Sequence, residues 1–150
     1  LYKNCMLNNL NKKMTIISNP IGIKKDIVNM QYSSSLDASA YNKINYSAKS
    51  LDDEIKTLSF SINELYEENL IKVPNYIKID VDGNELDILR HSSALLERKE
   101  VKSIMIEASS LDEFEAYDKL LSKYSFKIQK KFFKDNIDEK YKVYNCLFAR

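Results

Sequence analysis

Apolar and polar positions follow two different periods along this chain, and the switches between them mark its elements. Tyr76 to Val81 is short, apolar and β-branched, as an interior strand should be. Leu86 to Glu97 then carries Leu86, Leu89, Ser93 and Leu96 at helical spacing. Val101 to Glu107 predicts the next strand, and Leu111, Phe114, Tyr117 or Asp118, and Leu121 predict a helix from about Leu111 to Lys123. Phe126 to Phe133 and Lys142 to Phe148 alternate apolar and polar residues, which predicts an antiparallel pair with Asp135-Asn136 supplying its turn. Upstream, Leu1 to Leu10 reads as the end of a helix and Met14 to Ser18 as a strand running into the turn from Asn19 to Gly22. Lys24 to Tyr32 reads as another strand. Ser33 to Ser50 is rich in Ser, Asn, Ala and Tyr without a sustained period and predicts a loop or lid. Thr57 to Ser61 alternates like a strand, Ile62 to Leu70 reads as a helix, and Pro74 marks entry into the central strand. Strands alternating with helices in this order predict the back half of a doubly wound α/β sheet.

Composition narrows the class. A chain of 150 residues, 44% hydrophobic and 30% charged, is long enough for one core and predicts a single globular domain. Disorder is excluded by the same figures. The net charge of +1 makes no field that calls for nucleic acid, and Lys127, Lys130, Lys131 and Lys134 read as a solvated strand face. No apolar run reaches the roughly 20 residues that cross a bilayer, so no membrane partner is expected. The two cysteines, Cys5 and Cys146, lack metal or redox spacing and read as packed thiols in a reducing compartment, with the cytoplasm as the default.

Candidate chemistry concentrates between Asn75 and Glu85, where three acids and one of only two glycines meet at the end of the central strand. Ligands of open α/β sheets bind beyond such strand ends. Asp80 ends an apolar strand, where a carboxylate needs an open cleft or specific partners. Regular alternation puts Lys78 on its face of the strand. Asp82 and Glu85 have the spacing of a capping box as well as a place on the site's rim, and the macrodipole of the helix favours both by about 0.3 to 1 kcal/mol each. Glu107 ends the following strand and either reaches the same pocket or caps the segment Ser109 to Asp112. His91 reads as a surface or packing residue, and Tyr32, Tyr41 and Tyr46 either shape the lid or pack.

The run Ile77-Lys-Ile-Asp-Val-Asp-Gly-Asn-Glu-Leu-Asp-Ile-Leu89 resembles the I-K-I-D-V-E/D-G-x-E-x-x-I/V-L motif of the FkbM methyltransferase family. Leu1 to Leu10, Val101 to Glu107 and Tyr144 to Arg150 are similar to flanking segments of that family. The resemblance implies a Rossmann-like class I methyltransferase sheet with a C-terminal antiparallel strand pair. It also implies S-adenosylmethionine as cofactor and a small-molecule hydroxyl, on a sugar or secondary metabolite, as acceptor. By the same resemblance Asp80, Asp82 and Glu85 are the catalytic candidates, Lys78 and Glu107 face the substrate, and Asn19, Pro20 and Ile21 contact the adenine. No metal is assigned. A family member should also carry a glycine-rich turn after its first strand and an acid after its second. With Gly22 and Gly83 alone, no G-x-G loop can be built, so an N-terminally truncated fragment is expected.

Other functions remain open at this level. Asp80-Val81-Asp82 fits the D-x-D pattern of metal-dependent glycosyltransferases, since hard cations prefer carboxylate oxygen. A calcium loop fits worse, because with Asp80 as its first position Gly83 falls at the fourth, where an EF-hand needs its glycine sixth. A non-catalytic remnant of a methyltransferase is the third alternative. Sequence does not give the oligomeric state.

Overall fold

The computed structural model of the chain describes residues 2–31, 43–45, 54–81, 83–133 and 144–150. Its larger sheet takes β4 (Tyr76–Ile79), β5 (Ser103–Ala108), β7 (Tyr144–Ala149) and β6 (Lys127–Phe133), in that lateral order. β4 and β5 are parallel with Ile79 beside Ile106, β5/β7 is antiparallel, and β7/β6 is the antiparallel pair that the alternation of the last two runs predicts. Parallel neighbours need a crossover. Here α3 (Glu85–Arg90) and α4 (Ser93–Leu96) supply it, and α5 (Leu111–Ser122) links β5 to β6. Ile79, Ile104, Ile106, Cys146 and Phe148 line one sheet face and pack with Ile88, Leu89, Leu95, Leu96, Tyr117 and Leu121 from the three helices. A fully buried side chain of this size contributes about 1.5 to 3 kcal/mol. Most of the fold's cohesion lies here.

Along β5 burial alternates strictly, with Ile104, Ile106 and Ala108 inside and Ser103, Met105 and Glu107 half-exposed. β4 departs from the interior strand expected for Tyr76 to Val81. Among the described residues it is an edge strand, and Tyr76 is 71% exposed. Its burial follows its own pattern: Tyr76, Lys78 and Asp80 share the open face, while Ile77 and Ile79 turn toward the core.

The single helix expected from Leu86 to Glu97 is broken at His91 and Ser92. Ser92 Oγ donates to the Ile88 carbonyl at 2.5 Å, taking the acceptor that its own backbone N–H would use in a continuous helix. That N–H turns to Leu89 instead. A serine hydroxyl competing with the backbone in this way is a known source of helix interruption.

A second, antiparallel sheet holds β2 (Lys43–Asn45), β1 (Asp26–Gln31) and β3 (Glu54–Ser59), in that order. β1 and β3 correspond to the strands expected near Lys24 to Tyr32 and Thr57 to Ser61. β2 falls inside the region expected to be a loop, because a three-residue strand defined only by its pairing to β1 leaves no period of its own. Tyr32, Tyr41, Tyr46 and the turn Asp135-Asn136 lie outside the described residues. Met14 to Ser18 joins neither sheet, despite its β-branched run, and so is not the strand expected there. The helix at the start is α1 (Tyr2–Leu7). α2 (Ile62–Glu67) opens with a full capping box: Ser61 Oγ accepts from Glu64 N–H, and Glu64 Oε2 accepts from Ser61 N–H at 2.8 Å.

Candidate functional site

The end of β4 brings three charged side chains together. Lys78 and Asp80 form an ion pair on the more open sheet face, as regular alternation requires. Because Ile79 lies beside Ile106, the next step along the two parallel strands sets Asp80 beside Glu107. The two carboxyl groups come close enough for Glu107 to bear on the titration of Asp80. Lys78 first, and the Glu107 hydrogen bond second, hold the Asp80 carboxyl below its ordinary value of 3.8, against a smaller opposing effect of burial. Asp80 in turn raises the Lys78 ammonium, and the charge of Glu107 adds to that. The Lys78 and Asp80 side chains are 59% and 48% exposed, so water screens the pair and its worth to stability is small. Its value is positional. It offers an ionised oxygen, oriented by a cation, at the carboxyl end of two adjacent parallel strands.

Glu85 is placed differently. It begins α3 and is only 7% exposed. Gly83, at φ 100°, turns the chain before the helix, and its N–H donates to Glu85 Oε1 at 3.3 Å. A left-handed turn of this kind suits glycine, which has no Cβ. The helix therefore starts too late for Glu85 to be the third residue of a capping box that begins at Asp82, and the cap position belongs to Asn84. Asp82 lies outside the described residues. Burial, with the Glu85 charge second, pushes the Tyr117 phenol on α5 well above the usual tyrosine range. Glu85 is thus a buried carboxylate near the α3–α5 core.

Glu107 does not cap α5. Ser110 does so by accepting from Glu113 N–H, while Glu113 Oε2 accepts from Ser109 N–H at 2.7 Å. His91 closes α3, and its half-buried ring donates from Nδ1 to the Asp87 carbonyl at 2.8 Å. Lys127 and Lys130 are exposed, whereas Lys131 packs its ammonium 3.3 Å from the centroid of the Phe114 ring. Cys5 and Cys146 are both buried, and neither forms a disulfide among the described residues.

The segment Asn19 to Ile21 is lashed to the end of β3. Asn19 Nδ2 donates to the Leu58 carbonyl at 2.9 Å, the Pro20 carbonyl accepts from Phe60 N–H, and Ile21 bridges Phe60. These polar atoms are already used within the fold. Ile21 alone of the three faces a groove of about 440 Å³ beside β4, whose other walls include Ile77, Ile79, Leu95 and Leu96. Alternation gives no hint of this groove, because it needs β4 to be at an edge. A nucleoside cofactor needs a close-approaching backbone turn for its charged end and an acid for its ribose. The described residues around the groove supply an apolar wall with Lys78 and one acid, Asp80, at its rim but no glycine turn, so they do not by themselves fit S-adenosylmethionine. Among the described residues no three acids, histidines or cysteines group to hold a metal ion, and no helix is long and apolar enough to cross a membrane.

A family model for the methyltransferase FkbM domain matches residues 1–128. No curated protein and no solved structure matches the chain.

Proposed function

The chain belongs to the FkbM methyltransferase family, and we propose that β4 and β5 form the acceptor side of an S-adenosylmethionine-dependent O-methyl transfer. The acceptor is a hydroxyl on a sugar or secondary metabolite, and the cytoplasm is the proposed compartment. One observation carries this reading: Asp80 and Glu107 stand side by side at the ends of parallel strands, with Lys78 bound to Asp80. Family membership supports methyl transfer, and the geometry supports where the acceptor would sit.

Asp80, kept ionised below the ordinary carboxylate range, accepts the hydrogen bond of the incoming hydroxyl and fixes the direction of the oxygen. A carboxylate of lowered pKa is a weak base, so it does not strip an alcohol in advance. It receives the proton as the oxygen loses electron density. Glu107 keeps the Asp80 oxygens oriented, and Lys78 fixes the strand-end carboxylate. Glu85 and Gly83 hold the turn before α3.

The full-length protein, incubated with isotopically labelled S-adenosylmethionine and a panel of sugars and hydroxylated metabolites, should place the label on an acceptor oxygen. Label found only on nitrogen or carbon, or on no acceptor, would overturn the reading.

A further inference from the structure

The polar side chains at the site end of the larger sheet run one strand further than Asp80 and Glu107. β7 is antiparallel to β5, so its start lies beside the end of β5, and the register sets Asn145 directly opposite Glu107. Directly opposite residues share a face of the sheet. Asp80, Glu107 and Asn145 therefore stand in line on three neighbouring strands, with about 4.8 Å from each strand to the next. Glu107 and Asn145 are both half-buried. Asn145 lies outside residues 1–128, so its place in the row owes nothing to the family match.

We propose that this row reads a vicinal diol, so that the acceptor is a neutral polyol, such as a sugar ring, methylated at one of two neighbouring hydroxyls. The inference rests on the acceptor-side reading of Asp80 above and adds the group next to the reacting oxygen. Asp80 takes the reacting hydroxyl, and Glu107 with Asn145 holds its neighbour. The donors and acceptors of the row select a hydroxyl there. An ionised carboxylate only accepts, whereas a carboxamide has N–H groups that donate. A hydroxyl uses both, donating to Glu107 and accepting from Asn145 Nδ2, while an ammonium has no lone pair to accept with. Glu107 can touch Asp80 and still serve a ligand, because a carboxylate has about four lone-pair sites. A phosphate beside the reacting oxygen would meet two negative side chains, of which Lys78 offsets only one. Spacing agrees with this choice. Hydroxyls on adjacent carbons, each one hydrogen bond from its partner, bridge neighbouring strands, whereas a lone hydroxyl at Asp80 leaves Asn145 out of reach.

Matched acceptors test this with the full-length protein and isotopically labelled S-adenosylmethionine. Methyl glycopyranosides of several configurations are each compared with the analogue that lacks the hydroxyls adjacent to the one methylated. The diol should exceed its deoxy analogue in kcat/KM by about 100-fold, short of the roughly 10,000-fold of a sealed hydroxyl-reading site because this row is half-buried. Asn145→Ala should narrow that ratio by about tenfold. A residue that only supports the fold would instead lower both acceptors alike and leave the ratio where it was. Asn145→Asp, which exchanges the donor for a third carboxylate, should narrow it at least as far. The native comparison decides even if a variant fails to fold. Equal use of diol and deoxy analogue by the native protein would overturn the proposal and leave the acceptor-side reading standing, as would transfer confined to hydroxyls without a neighbour. A ratio unaltered in both folded variants would also overturn it. Transfer to no hydroxyl compound at all would sink that reading and the diol with it.

Discussion

Two pairs of isoleucines, one in each sheet, differ sharply in burial. In the four-stranded sheet Ile104 and Ile106 are wholly buried beneath α3, α4 and α5, whereas in the three-stranded sheet Ile27 and Ile55 are 61% and 57% exposed. The described part of the smaller sheet keeps few apolar anchors inside, chiefly Val28, Ile44 and Phe60. Its firmest link is polar: Ser59 Oγ, fully buried, donates to the Lys24 carbonyl at 2.9 Å. The difference teaches where rigidity is available. A strand end that must hold two carboxylates in a fixed relation lies on the sheet with the continuous core, and the other sheet is held mainly by its backbone ladder. Local opening should follow the same division.

Core truncation gives the largest expected contrast. Phe148→Ala removes a fully buried ring stacked 6.1 Å from Phe114 and should cost about 3 to 5 kcal/mol in urea unfolding. Ile55→Ala should cost less than about 0.5 kcal/mol. Similar losses at both positions would erase the distinction between the sheets.

A smaller effect should appear in alkali. Tyr117 is 1% exposed, and burial holds its phenol neutral far above the value of about 10 that it has when unfolded. A raised folded value means that its stabilising contribution is complete below about pH 10 and is lost as pH rises further, because the unfolded chain gives up the proton first. The native chain should therefore lose stability between about pH 10 and 11 more steeply than Tyr117→Phe. Equal slopes would show that α5 does not seal this tyrosine against the larger sheet.

The smallest effect concerns the open end of β4. Lys78 is the main cause of the lowered Asp80 value, so Lys78→Ala should move the Asp80 carboxyl titration upward, toward its ordinary 3.8. Carbonyl-detected nuclear magnetic resonance reads this directly. Fold stability should change little, since both side chains are half-exposed. No movement would remove Lys78 from the site.

Much of the larger sheet was legible because its residues repeat. Ile104 and Ile106 fall two apart in a short apolar run that ends at Glu107, and Phe114, Tyr117 and Leu121 recur at helical spacing, so β5 and α5 lie close to where the sequence sets them. The break between α3 and α4 was not legible, since it depends on a hydroxyl–carbonyl contact that leaves no period. Thr15, Ile16 and Ile17 look like a strand, yet a strand is defined by its partner, and none takes them up among the described residues. Within the site, Asp80 could be read from its place at a strand end, and Lys78 from alternation. The contact of Asp80 with Glu107 depends on the register of β4 against β5, and the burial of Glu85 on a turn at Gly83 that delays the helix. Both are tertiary facts.

The central claim is that Asp80 serves the acceptor. Initial rates of S-adenosylhomocysteine formation by the full-length protein and its Asp80→Asn variant, with the same hydroxyl acceptor, test it most directly. The account predicts turnover lower by about 100-fold or more, with S-adenosylmethionine affinity within about threefold of native because Asp80 is assigned to the acceptor side. An unchanged rate, or a loss confined to cofactor affinity, would contradict it.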